Sequence, residues 1–200
     1  MVEIFVVRHA VTDWNEEKRF QGHSDIPINK AGREEIQRYK LPLEWEEALL
    51  LASPLNRAQE TAELLSGKEP IIEPELIEMN WGRWEGRRYD QLAKELGDEL
   101  KQNEDRGLDF RPEEGESPRE VCERLTRWFK NLTKGENKKI VIVTHKGVIR
   151  AMMALAFNWD MMGKAPAKLQ RYAGHHFLIK EDGRLECRTM NMALKIRANG

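Results

Sequence analysis

Residues 6–15 read VVRHAVTDWN. The first two of them end an apolar run over 4–7, which predicts a buried β-strand. Arg8 and His9 stand side by side where that strand is expected to end. Open α/β sheets bind their ligands at the carboxyl ends of the strands. Arginine offers a charged fork of donors to phosphate or carboxylate, and histidine transfers protons or attacks as a nucleophile near neutral pH. The stretch indicates a site that binds an anion and transfers a proton or attacks as a nucleophile. The Arg8-His9 dipeptide alone is more simply interpreted as the cap of a strand.

A second apolar run, KIVIVT at 139–144, ends in the same way at His145. Parallel neighbouring strands share their carboxyl edge, so the two strands can bring His9 and His145 together. The pair of strand ends therefore favours a functional site over a structural cap.

Length and composition fit one ordinary globular domain over residues 1–200, with 40% hydrophobic and 34% charged residues. A formal net charge of -1 provides no general basic field, so neither nucleic acid nor a membrane is an expected partner. Cys122 and Cys187 show no metal-type spacing, which favours free thiols while leaving a disulfide open. The chain enters a strand directly, without the pattern of a signal peptide, so we expect a cytoplasmic protein.

Turn and periodicity signals place the other elements. The predicted helices and strands cover 31–40, 48–52, 71–72, 89–103 and 147–157, with a loop over 16–30 and a polar turn over 134–138. Ser117 and Glu120 form a capping box that starts a further helix. The Asp182-Gly183 turn predicts a hairpin, in which the adjacent residues His175 and His176 point to opposite faces and make a metal site unfavourable.

Ser53 and Pro54 predict the start of another helix, as the N-cap and the first helical residue. Arg57 then lies in the first turn, where free amides already favour an anion. The alternative role for Arg57 is a surface ion pair with a glutamate of the same helix, such as Glu60 or Glu63.

Several motifs occur in a fixed order along most of the chain. They are RHAVTDWN at 8–15, QGHSDIPI at 21–28, AG at 31–32, SPLNRAQETA at 53–62, EMNWGRWEG at 78–86, GES at 115–117 and TH at 144–145. Together they resemble the histidine phosphatase superfamily, the phosphoglycerate-mutase-like family, in its phosphatase branch. The resemblance implies an α/β three-layer sandwich, with a mostly parallel central sheet flanked by helices and an antiparallel edge strand near the C-terminus.

The resemblance also implies roles for individual residues. The implied catalytic residues are His9, Glu78, His145, Arg8 and Arg57, and the implied phosphate-binding residues are Arg8, Asn15, Arg57, His145 and the backbone amide of Lys146. His9 is the implied nucleophile, so its attacking nitrogen must be unprotonated while the other is held by an acceptor, for which we expect a backbone carbonyl. Glu78 is the implied proton donor, and its alternative role is a solvated carboxylate in an acidic segment. Neither a metal nor another cofactor is implied.

Two positions depart from the family pattern. Ala10 replaces the usual glycine, which is a mild change if the backbone angle there is ordinary. Lys146 stands where glycine commonly follows the second histidine, and its side chain either lies away from the site or favours substrates with a second acidic group.

The function indicated first is metal-independent hydrolysis of a small phosphorylated metabolite by a phosphoric monoester hydrolase of the histidine acid phosphatase type. The alternatives are a cofactor-dependent phosphoglycerate mutase and a catalytically inactive phosphate-binding module. The segment after Glu78 is short and mixed in charge, whereas the resembling mutases have a longer basic lid, and this favours a phosphatase. A charged stretch at 104–116 is expected to border the mouth of the site. The sequence leaves the substrate and a homodimer open.

Overall fold

The computed structural model describes residues 1–134 and 138–197. Its strands are β1 (Val2–Arg8), β2 (Tyr39–Lys40), β3 (Leu49–Ala52), β4 (Ile71–Ile72), β5 (Lys138–Thr144), β6 (Ala173–Ile179), β7 (Leu185–Ala193) and β8 (Lys195–Ile196). Its α-helices are α1 (Asp13–Glu16), α2 (Lys30–Ile36), α3 (Asn56–Ser66), α4 (Tyr89–Leu96), α5 (Asp98–Glu104), α6 (Pro118–Leu132) and α7 (Lys146–Phe157).

A six-stranded sheet in the order β4-β3-β5-β1-β6-β7 organises the fold. The first four strands are mutually parallel, whereas β6 runs antiparallel to β1 and β7 antiparallel to β6. The hairpin predicted at Asp182-Gly183 is present, with the N–H of Gly183 donating to the carbonyl of Lys180 at 2.9 Å. The mostly parallel sheet with an antiparallel C-terminal edge is therefore confirmed.

Helices cover both faces of this sheet because its central strands are apolar on both sides. In β1, Ile4 and Val6 pack into one core together with α6 and α7, whereas Phe5 and Val7 pack into a second core with α3. Strand β5 alternates in the same way between the two cores. The three-layer sandwich follows from this double burial.

The register of β1 and β5 places the two histidines at one edge. Arg8 lies opposite Thr144, so the next residue of each strand emerges at the same level. The N–H of His9 donates to the carbonyl of Thr144 at 2.9 Å, which extends the ladder by one bond. The shared edge expected from the sequence is thus where both histidines lie.

The helices predicted over 31–40 and 89–103 are not continuous over their predicted lengths. Helix α2 ends at Ile36 rather than at residue 40, because Tyr39 and Lys40 instead pair with β8 and the Tyr39 ring stacks on Tyr172 at 5.4 Å. The single helix expected over 89–103 is broken at Gly97, whose φ of 53° favours glycine. The long-range pairing and the bend are not visible in a local periodicity.

Other local expectations can be compared directly. The capping box of Ser117 and Glu120 is present at the start of α6.

His175 and His176 face opposite sides of the sheet: His175 Nδ1 accepts from the N–H of Asn191, and His176 Nε2 lies 3.1 Å from the carboxylate of Glu3. Most of the polar turn expected over 134–138 lies outside the described residues. Within the described ranges, none of the helices has the length and apolar character needed to cross a membrane, and both cysteines are free thiols.

Candidate active site

His9 follows β1 directly, and one hydrogen bond fixes the protonation of its ring. Its Nδ1 lies 2.7 Å from the carbonyl oxygen of Ala10. A carbonyl oxygen only accepts, so Nδ1 carries the proton and Nε2 keeps a free lone pair. The expected backbone acceptor is therefore present, and it is the carbonyl of the next residue.

The surroundings of His9 keep this imidazole neutral. Burial, followed by the positive charges of Arg8 and Arg57, lowers the pKa of His9 well below 6.5. A neutral ring with its proton on Nδ1 is the form in which Nε2 can attack an electrophile.

Ala10 fits a position at which the sequence departs from the family pattern that it resembles. Its φ is not positive, so a side chain causes no backbone strain there. Its N–H donates to Thr61 Oγ1 at 2.9 Å, and Thr61 in turn donates to the carbonyl of Arg57 at 2.6 Å. The added methyl group is buried in the core that β1 shares with α3.

His145 is the N-cap of α7, and its ring centroid lies 5.2 Å from that of His9. Its Nε2 lies 2.7 Å from Ser53 Oγ, which also accepts from the N–H of Leu55 at 3.3 Å. When the Ser53 hydroxyl donates to Nε2, the proton of a neutral His145 lies on Nδ1. That buried Nδ1 has no partner among the described residues, so in this tautomer it is a donor free for a ligand.

The prediction that Ser53 caps α3 is wrong. The N–H of Ser53 still pairs with the carbonyl of Val143, so the chain stays extended through Leu55 and the helix begins at Asn56. Ser53 uses its hydroxyl on His145 instead. Arg57 nevertheless lies in the first turn, as expected.

The Arg57 side chain is fully buried and points to the loop that follows α1. Its two terminal nitrogens donate to the carbonyls of Ser24 and Gly22 at 2.8 and 2.7 Å, and its Nε has no partner among the described residues. The alternative pairing with Glu60 does not occur, because Glu60 pairs with Arg33. The guanidinium is therefore held in place, and its Nε–H has no partner among the described residues.

Glu85 holds the same loop from the other side, and this role was not predicted. Its carboxylate accepts from the N–H groups of His23 and Ser24, both at 2.8 Å, and from Ser24 Oγ at 2.6 Å. A Cβ on Gly22 would lie 1.9 Å from this carboxylate, and the φ of Gly22 is +54°. The Glu-Gly ending of the motif at 78–86 was the available signal.

Glu78 is buried beside the start of α7. The N–H of Met79 donates to its Oε1 at 2.9 Å, and the N–H of Gly147 donates to its Oε2 at 3.2 Å. A Cβ on Gly147 would lie 2.4 Å from Oε1. The carboxylate is thus an oriented group next to α7, and it is not a solvated surface carboxylate.

Arg8, Asn15 and Lys146 complete the predicted set. Nε of Arg8 is buried without a partner among the described residues. Asn15 accepts from the N–H of Thr12 at 3.2 Å and closes the capping box of α1, a short helix that was not predicted. Lys146 is the first residue of α7.

A cavity of about 640 Å³ brings these groups together. The predicted site residues that line it are Arg8, His9, Asn15, Arg57, Glu78 and Lys146, with His145 behind them against His9. Phe20 and Trp81, with ring centroids 4.3 Å apart, form an aromatic wall on the same cavity. Phe110 also lines it, so the stretch 104–116 borders the mouth as expected.

Comparisons with known proteins agree with this arrangement. The sequence model of the histidine phosphatase superfamily (branch 1) matches residues 4–193. Phosphoglycerate mutase-like protein 4 of Arabidopsis thaliana is 35% identical over 75% of this chain and 69% of its own length. Uncharacterized phosphatase PhoE of Bacillus subtilis is 29% identical over 76% of both chains. Some other curated relatives are matched over 60% of their own length.

A solved structure shows the same fold. Phosphoserine phosphatase from Entamoeba histolytica, in complex with 3-phosphoglyceric acid, superimposes with a TM-score of 0.81 over 96% of this chain and 98% of that chain, at 22% identity. The fold, the order of the motifs and the extent of the sequence match agree. The chain therefore belongs to branch 1 of the histidine phosphatase superfamily.

Proposed function

We propose that this protein is a phosphatase that hydrolyses small phosphomonoesters, without a metal ion, through a phosphohistidine formed at His9. The observation that carries the proposal is the 2.7 Å hydrogen bond from His9 Nδ1 to the carbonyl of Ala10. It leaves Nε2 unprotonated in a cavity lined by arginines. A poised nitrogen nucleophile beside an anion site is what phosphoryl transfer by covalent catalysis requires.

In the first step, Nε2 of His9 attacks the phosphorus and the bond to the leaving oxygen breaks. Glu78, in its protonated form, gives its proton to that oxygen, and the alcohol leaves. In the second step, the oxygen of a water molecule bonds to the phosphorus, the bond between phosphorus and Nε2 of His9 breaks, and Glu78 accepts a proton from the water. The products are an alcohol and inorganic phosphate, and both residues return to their starting forms.

Charge on the transferred group is stabilised by donors that the fold already holds in position. Arg57 is fixed by two loop carbonyls, and Arg8 and Nδ1 of His145 have unused donors. Asn15 and the backbone amide of Lys146 add neutral donors in the proposed complex. Such preorganised donors act on the equatorial oxygens, where phosphoryl transfer needs stabilisation.

The proposed partner is a small phosphorylated metabolite. Phe20 and Trp81 offer an apolar surface to its organic part, next to the basic floor of the cavity. A cytoplasmic location stays a prediction from the sequence, and a homodimer stays open.

A phosphoglycerate mutase is the second candidate, because a relative of this chain is named phosphoglycerate mutase-like protein 4. A mutase must keep phosphohistidine long enough to return the phosphoryl group to the sugar acid. Isomerisation of 3-phosphoglycerate, measured beside its hydrolysis, separates the two activities. Absence of both activities would favour the inactive phosphate-binding module.

The test is hydrolysis of an aryl phosphate with excess chelator by the wild-type protein and by His9→Ala and Glu78→Ala. We expect chelator-resistant turnover that falls by about 10³-fold in His9→Ala and about 10²-fold in Glu78→Ala. Rapid quenching in base should trap an acid-labile phosphoryl group on the wild-type protein and none on His9→Ala.

Matched controls are available outside the cavity. His176→Ala removes a histidine that lies beside Glu3 on the sheet, and Glu95→Ala removes a surface glutamate that pairs with Arg87. Both should retain wild-type turnover. Turnover that survives in His9→Ala, or that chelator removes, would contradict the proposed mechanism.

A further inference from the structure

Two cations of α7 line the cavity beyond the groups assigned to the phosphate. Lys146 and Arg150 are four residues apart, so they lie on one face of the helix about 6 Å apart along its axis. Within residues 1–134 and 138–197, neither forms an ion pair with a carboxylate. Surface arginines such as Arg83 and Arg119 do form such pairs.

Arg150 is held in place without a counter-ion. Its guanidinium lies over the ring of Trp159 at 4.8 Å from the ring centroid. Burial lowers its pKa. A partly buried cation without an anion is costly in a ligand-free protein, and it is stabilised when a ligand supplies the charge.

Lys146 is placed among like charges. Lys146 is exposed at the cavity, and partial burial, followed by the charges of Arg8 and Arg150, lowers the pKa of its ammonium. One phosphate bound at Arg8 and Arg57 would neutralise the charges of those two arginines. It would leave the side chains of Lys146 and Arg150 unpaired. A second negative charge on the same ligand would relieve the repulsion.

The acids of the cavity already have other partners. Glu104 accepts from the hydroxyl of Tyr89 at 3.2 Å. Glu78 accepts from the N–H groups of Met79 and Gly147. The charge of Glu78 raises the pKa of Lys146, but burial and the charges of Arg8 and Arg150 outweigh it. Within the described residues, neither carboxylate lies within ion-pair distance of the α7 cations.

We propose that the side chains of Lys146 and Arg150 form a second anion subsite, so that the substrate is a phosphomonoester carrying a further carboxylate or phosphate group. This inference rests on the proposed phosphatase function and narrows its substrate class. Lys146 begins α7, where its backbone amide belongs to the proposed phosphate site, and Arg150 follows about one turn later. A short spacer therefore separates the two anionic groups of the ligand.

The test measures binding with phosphonates, whose C–P bond the proposed hydrolysis does not cleave. Calorimetric titration at constant ionic strength compares 4-phosphonobutyrate with butylphosphonate, which has the same carbon chain without the carboxylate. Propane-1,3-diphosphonate replaces the carboxylate by a second phosphonate. We expect one or both doubly anionic compounds to bind at least about tenfold more tightly than butylphosphonate, and the tighter of the two identifies the second group.

The variants Lys146→Met and Arg150→Met keep the length of the side chain and remove the charge. Each should lower the affinity ratio between doubly anionic and singly anionic compounds, and the double variant should bring it near one. Lys18→Met is the matched control, because Lys18 also lines the cavity but lies on α1's side of it. It should leave the ratio unchanged.

Three outcomes overturn the subsite: equal affinities in the wild-type protein, a preference that persists in the double variant, or an equal loss of preference in Lys18→Met. Equal affinities together with aryl phosphate turnover would refute the subsite alone. No binding of any phosphonate, together with no turnover, would refute both the subsite and the proposed function.

Discussion

The Nδ1 atom of His9 donates to the carbonyl oxygen of its own neighbour, Ala10, at 2.7 Å. This bond selects the tautomer, and burial with the charges of Arg8 and Arg57 lowers the pKa of His9 well below 6.5. We expect ¹⁵N NMR of the histidine rings, assigned with His9→Gln, to show Nδ1 protonated and Nε2 free between pH 6 and 8. A titration of His9 centred near pH 6.5 would contradict this.

Stability should fall in mild acid because of a buried histidine outside the cavity. Burial lowers the pKa of His175 from 6.5 to about 4, so between these values the unfolded chain binds a proton that the native state does not. The unfolding free energy therefore decreases as pH falls from 6.5, by about 3 kcal/mol for this group at pH 4. Denaturant unfolding at pH 7 and pH 4.5 should show a smaller decrease for His175→Asn than for wild type. Equal decreases would show that His175 is not the cause.

Ser53 should act on catalysis through His145. Removing its hydroxyl leaves the neutral ring free to place its proton on Nε2, away from the phosphate. We expect Ser53→Ala to lower kcat by about tenfold, the worth of one hydrogen bond. Ser53→Thr, which restores a hydroxyl, should recover part of this loss. An equal loss in both variants, accompanied by a lower Tm, would indicate a packing role only.

Glu85 should control phosphate affinity without touching phosphate. It holds the N–H groups of His23 and Ser24, and the adjacent carbonyls of Gly22 and Ser24 hold Arg57. Glu85→Gln turns an amide toward these donors, so we expect a several-fold weaker inhibition constant for inorganic phosphate and about 1–3 kcal/mol less stability. Glu95→Gln on the surface is the control. Unchanged inhibition by phosphate would show that the loop held by Glu85 does not position Arg57 for phosphate binding.

Gly147→Ala should impair the proposed proton donor. The new Cβ would lie 2.4 Å from Glu78 Oε1, so the carboxyl must move. Alkyl phosphates need protonation of the leaving oxygen more than nitrophenyl phosphate does, so we expect a larger loss of kcat/KM for the alkyl esters, about 10²-fold. Glu78→Gln should show the same dependence on the leaving group. A uniform loss for all esters would instead indicate damage to phosphate binding.

Much of the fold and the site could be predicted because the deciding signals are local. The apolar runs before His9 and His145 identify buried strands, and the α/β rule places their carboxyl ends at the site. The acceptor for His9 also could be anticipated, since a nucleophilic imidazole needs its second nitrogen held.

Several of the errors share one cause, which is a distant partner. Serine is a common helix cap, but the N–H of Ser53 pairs with Val143 and its hydroxyl contacts His145. Tyr39 follows a helical pattern, but β8 pairs with it from more than 150 residues away along the chain. Glu85 accepts hydrogen bonds from a loop some 60 residues earlier in the chain. Local propensity does not contain these contacts.

Lys146 and Gly147 are neighbours under opposite constraints. Position 147 is closed to larger residues by the carboxylate of Glu78, whereas the side chain at position 146 extends into open cavity. Substitutions at position 146 alone, in evolution or in a library, therefore change the charge that the cavity presents to a substrate and leave the contact between Gly147 and Glu78 as it is. Position 146 is also one of the two positions at which the sequence departs from the family pattern.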